Sequence, residues 1–95
     1  MVYELDCRYD TRQSFYGKAR VEEKEFDNFK AFILYSYNTE VASIEIYNNG
    51  LKMFFYNGKY SQTTTRHQKE FFKQNGLSDR KIKELFNKGT LEIEE

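Results

Sequence analysis

Residues 22–37 read EEKEFDNFKAFILYSY, and whether they form helix or strand decides how many strands the chain has and what covers them. Phe26, Phe29, Ile33 and Tyr37 recur at near-helical spacing, and Glu22, Glu23 and Glu25 would sit favourably against the positive end of a helix dipole. That spacing predicts a central helix. The run FILYSY fits a strand equally well, because β-branched and aromatic residues crowd it.

Upstream, Val2 to Tyr9 alternates, with Tyr3, Leu5, Cys7 and Tyr9 on one side and Glu4, Asp6 and Arg8 on the other. After the polar loop DTRQS, Phe15, Gly17, Ala19 and Val21 oppose Tyr16, Lys18, Arg20 and Glu22, so the two segments read as an N-terminal hairpin with a bulge at Gly17. Downstream, Asn-Gly pairs at 49–50 and 57–58 bracket LKMFFY, and Asn-Gly tolerates the positive φ angles of a type I′ turn. VASIEIY, LKMFFY and KYSQ therefore read as a three-stranded antiparallel meander.

The segment KYSQTTTRHQKEFF (59–72) then turns helical. Thr65 followed by Gln68 matches a capping box. Gly76 is placed to end the helix in a left-handed conformation, with Leu77 contacting Phe72 as a Schellman motif requires. Ser78 caps a second helix with Ile82, Leu85 and Phe86 on its inner face, Gly89 stops it, and TLEIEE is either a last edge strand or a frayed end. With no proline, repeat or linker, residues 1–95 make one compact α+β domain: a mainly antiparallel sheet, one central helix and a C-terminal αα-hairpin.

Nine Phe and eight Tyr outnumber the fourteen Leu, Ile and Val, so aromatics supply the core, and the surplus tyrosines are expected at the surface. Fifteen basic and fifteen acidic residues cancel, which argues against a chain whose whole surface grips DNA or anionic lipid. The cancellation is uneven. Residues 57–88 carry eight Lys or Arg against three acids, a net of +5, whereas 1–56 carry −2 and the tail from Gly89 −3. A single cysteine, the lack of a leader-like N-terminus and the lack of a long apolar run point to a cytoplasmic protein with no membrane partner.

No motif announces catalysis. Cys7 and His67 would suit acyl transfer only if the thiol were exposed, and Cys7 shares its face with Tyr3, Leu5 and Tyr9; one Cys and one His also fall short of a zinc site. Glu22, Glu23, Glu25 and Asp27 read as solvated charges, and no phosphate loop, dinucleotide motif or nucleophile elbow is present. No cofactor is expected. The cluster Thr63, Thr64, Thr65, Arg66 and His67 offers more hydroxyls than capping needs, beside a helix start that attracts anions. A helix-turn-helix over 67–86 is opposed by the bulk of Phe72 next to the turn, so a plain αα-hairpin is the better reading.

LYSYNTEVASI (34–44) and YSQTTTRHQKEF (60–71) together resemble a pattern, SYNT.VA.I followed by YS.TT.RH...F, in small uncharacterised proteins of bacteriophages and other mobile elements of Firmicutes. That resemblance covers roughly the central and C-terminal two-thirds of the chain. It implies a genomic setting and an accessory role on host machinery or phage nucleic acid, not a mechanism.

The leading expectation is a non-enzymatic binding module that docks on a host or phage protein through exposed tyrosines and the basic helical face. The alternative is nucleic-acid binding through the same face. Its candidate contacts are Tyr60, Thr64, Arg66, His67, Lys69, Lys73, Arg80, Lys81 and Lys83.

Overall fold

The computed structural model describes residues 1–94. Six strands, β1 (Val2–Glu4), β2 (Ala19–Glu25), β3 (Phe29–Ser36), β4 (Thr39–Tyr47), β5 (Leu51–Tyr56) and β6 (Thr90–Glu94), form one sheet in the order 1-2-3-4-5-6, every neighbouring pair antiparallel. Helices α1 (Gln62–Gln74) and α2 (Asp79–Lys88) lie between β5 and β6 in the chain. The α+β class is as read from the sequence.

The central helix expected over 22–37 is absent; that stretch is the end of β2, a turn at Asp27–Asn28 and all of β3. Its misleading period has a simple origin. A tight turn brings residues i and i+3 face to face across a hairpin, so Phe26 and Phe29 stack at 4.7 Å, while the next step of four residues, to Ile33, keeps the same face of a strand. The sequence +3, +4 thus looks helical. Tyr37 and Asn38, with φ of 52° and 74°, make the two-residue turn from β3 to β4, and Asn38 accepts a hydrogen bond from Arg20.

The N-terminal hairpin pairs as expected, Val2 with Glu22 and Tyr3 with Val21, but its first strand is only three residues long. Residues 5–18 instead arch over the sheet and drop Leu5 and Phe15 into the core. The β4–β5 turn is centred on Asn48–Asn49, closed by Gly50 N on Tyr47 O at 3.1 Å; only Gly50 takes a positive φ (93°), so the hairpin stands but the expected type I′ geometry at Asn49–Gly50 does not. The third meander strand is not KYSQ. At Asn57 the backbone N–H turns back to Val41 O (3.1 Å) and the side chain bonds Glu40 O, which steers the chain off the sheet and leaves the place beside β5 to β6.

Ser61, not Thr65, caps α1, its hydroxyl accepting from Thr64 N at 3.1 Å, so the helix starts a turn earlier than the capping-box reading has it. The Schellman end stands: Leu77 N bonds Phe72 O and Gly76 N bonds Lys73 O, both at 3.1 Å. Ser78 caps α2 and Gly89, in the left-handed region, ends it. Phe71, Phe72, Leu77, Ile82 and Leu85 pack on Val21, Leu34, Ile44, Phe54 and Leu91, which lie on one face of the sheet.

Two buried polar side chains of α1 fix how it sits. Between Leu34 and Tyr35 the β3–β4 register slips, leaving Val41 as an extra residue, and Gln68 Nε2 donates to Val41 O (3.0 Å) and Gly58 O (3.1 Å). Glu70 accepts three successive backbone N–H groups, from Arg8, Tyr9 and Asp10, at 2.8–3.1 Å, and a fourth bond from Gln74. The arch over the sheet is pinned there. Replacing Glu70 with Ala orphans those donors, so urea unfolding should register a loss of about 2–3 kcal/mol, with faster hydrogen exchange at the amides of 8–10.

Candidate functional site

Of the nine contacts expected from the sequence, the structure withdraws two into the core. Thr64 and His67 are buried, with relative exposures of 5% and 0%. Ser61 Oγ, Thr64 Oγ1, Ser36 Oγ and His67 Nδ1 form a chain of hydrogen bonds of 3.3, 2.8 and 2.8 Å. Donation in that order lets each hydroxyl give once and leaves the imidazole proton on Nε2, which has no partner. Phe15 meets the ring edge-on at 4.5 Å and Tyr37 lies at 5.9 Å.

Burial pulls His67 down to about 4, with opposing, smaller influences from Asp10 and Arg12. It is neutral at pH 7. The threonines are not spare either: Thr65 Oγ1 bonds back to Ser61 O at 3.1 Å. Cys7 is half-buried, packs against the core, and burial raises its thiol pKa, so no accessible Cys and His pair exists.

The other seven stay at the surface, but they are not one uniform patch. Arg66 pairs with Asp10 (3.3 Å), Lys73 with Asp79 (3.1 Å) and Lys81 with Glu84 (3.8 Å). Lys69, Arg80 and Lys83 make no ion pair among the described residues; with Ile82, Phe86 and Asp79 they line an open groove of about 650 Å³ between the helices. Tyr60 is exposed on the loop that enters α1. Tyr3, Tyr9, Tyr16 and Tyr37 are exposed as well.

The sheet has a second face that the sequence reading missed. Both helices and the N-terminal arch pack on the side that holds Leu34, Ile44 and Phe54. Strand alternation sends their neighbours to the opposite side, where Ile33, Ser43 and Phe55 form one cross-strand row and Ala31, Glu45 and Met53 the next. A row of rings, Phe26 on Phe29 at 4.7 Å and Phe29 on Tyr47 at 4.9 Å, closes one end.

Carboxylates surround these apolar side chains. Glu4, Glu22, Glu40, Glu45, Glu92 and Glu94 share this face with Arg20 and Lys24, by register. Tyr35 donates to Glu22 (3.0 Å) and Tyr47 to Glu45 (2.7 Å), bonds that raise both phenol pKa values. A sequence signal for this face did exist: FKAFILYS and LKMFFY are apolar at both parities, as strands buried on two sides are, yet two helices can cover only one side.

The result is a two-layer α+β domain with two unlike surfaces, a basic groove on the helical side and an apolar, acid-rimmed sheet on the other. Residues 3–88 match the model of a family of unknown function, DUF8033, and the chain belongs to that family. No curated protein and no solved structure matches it. Among the described residues no helix is long and apolar enough to cross a membrane, and they hold no cluster of three or more His, Cys, Asp or Glu suited to a metal ion.

The neutral His67 makes stability depend on pH. Its folded pKa lies below the unfolded value near 6.5, so the unfolded chain takes up the proton first and stability falls as pH drops from 6.5 towards 4. Between those limits the loss reaches about 3 kcal/mol. In His67→Asn, the slope of unfolding free energy between pH 6.5 and 4.5 should flatten relative to wild type, measured by urea titration at each pH.

Proposed function

We propose that the protein is a small, non-enzymatic protein-binding module of the cytoplasm that docks on a host or phage protein through the uncovered face of its sheet. The observation that carries this reading is the row structure of that face, in which Ile33, Met53, Phe55 and the Phe26–Phe29–Tyr47 stack stand half-exposed or exposed with no layer above them. Exposed apolar patches of that kind mark interaction sites.

Size supports the reading. Six strands at about 4.8 Å spacing, three to nine residues long, make a face of about 600 Å², three-quarters of the roughly 800 Å² each partner gives to an ordinary protein interface. Charge narrows the partner: six glutamates against two cations repel a phosphate backbone and oppose a second copy laid face to face. The surface that fits is apolar at its centre and basic at its edge. The resemblance to mobile-element proteins would put such a partner in the bacterial host or its phage.

The test is affinity purification from nuclease-treated host lysate with wild type and with Met53→Lys/Phe55→Lys, followed by titration of the purified partner. Wild type should retain a protein whose affinity for the variant is at least about tenfold weaker, while thermal unfolding of the variant stays within a few degrees because both side chains are half-exposed. Equal retention by the variant, or retention that vanishes with nuclease, overturns the reading.

A further inference from the structure

The groove between α1 and α2 has the opposite character from the sheet face and points to a second ligand. Lys69 comes from α1, Arg80 and Lys83 from α2, and Ile82 and Phe86 lie between them. The one acid at its lip, Asp79, is already engaged by Lys73 at 3.1 Å, so three cations face the groove outside any ion pair, Arg80 feeling Glu84 only at longer range. Their placement also runs against local preference. Arg80 and Lys81 occupy the first turn of α2, where the helix dipole favours acids, and positions that break a local rule are where function is expected.

We infer that this groove binds an acidic peptide segment of a partner protein, its carboxylates on Lys69, Arg80 and Lys83 and one large apolar side chain over the half-exposed Phe86, beneath which Ile82 is buried. The apolar floor favours a peptide over a nucleic acid. Phe86 is the one ring lining the groove and Tyr56 covers one of its faces (4.1 Å, planes 14° apart), so it offers at most a single stacking position and not the succession of platforms a single strand uses. Three phosphate contacts would also release few counterions, and counterion release supplies essentially all of non-specific nucleic-acid affinity.

This site lies on the other layer from the docking face and is independent of it. A module with both would bridge two proteins of opposite surface charge.

The experiment uses fluorescence anisotropy with three labelled probes: a short glutamate-rich peptide carrying leucines one helical turn apart, the same peptide with serine for leucine, and a single-stranded oligonucleotide of equal charge. The leucine peptide should bind wild type at least about tenfold more tightly than either other probe, and Lys69→Glu/Arg80→Glu/Lys83→Glu should lower its affinity by at least about tenfold. Those three side chains hold no ion pair, so the variant should keep the wild-type unfolding temperature. Met53→Lys/Phe55→Lys should bind the peptide as wild type does, which separates this site from the sheet face. Tighter binding of the oligonucleotide, indifference to leucine, or no measurable binding of the peptide overturns the inference.

Discussion

Everything in this molecule depends on how α1 is held to the sheet, and it is held by polar side chains that have left water. Glu70 gathers three consecutive backbone N–H groups of the N-terminal arch, and Gln68 reaches the carbonyl freed where Val41 interrupts the β3–β4 ladder. Apolar packing alone would let a helix slide on a sheet. A buried carboxylate that must satisfy its bonds cannot slide, because each position away from its donors strands them. With α1 fixed, the Schellman turn at Gly76 and Leu77 fixes α2, and α2 delivers β6 to β5.

This explains why the segment richest in chemistry became scaffold. QTTTRHQKEF looks like a site because it concentrates hydroxyls, an imidazole and charge. In place, Thr64, His67, Gln68 and Glu70 point inward and bond to Ser36, Val41, Gly58 and residues 8–10. Ser36 and Val41 lie in LYSYNTEVASI (34–44), and Thr64 and His67 in YSQTTTRHQKEF (60–71). They meet in the interior.

What the sequence made legible was whatever local chemistry decides. Ser78, Gly76 and Gly89 mark helix ends because caps and left-handed residues act within a few positions. Asn49–Gly50 marks a hairpin for the same reason. Residues 22–37 were illegible by period because a hairpin turn reproduces the helical +3 step, and the neighbour of β5 was illegible because Asn57 and Gly58 answer to Val41 and Gln68, far away in the chain. The candidate site divided likewise. Outward cations on α1 and α2 followed from helical phase, whereas the burial of His67 follows from Ser36 and Phe15, partners that no spacing near His67 announces.

Strand order carries one more consequence. From β1 to β5 each strand pairs with the one made just before it, so the sheet can grow in the order of synthesis, with short turns to close from β2 onward. Only β6 arrives late, after the chain has made its excursion through residues 57–89. Until then the edge of β5 is an open ladder ready to accept any neighbouring strand, and the C-terminal residues act as its stopper. A ribosome that stalls before them would release a molecule with its adhesive side still bare.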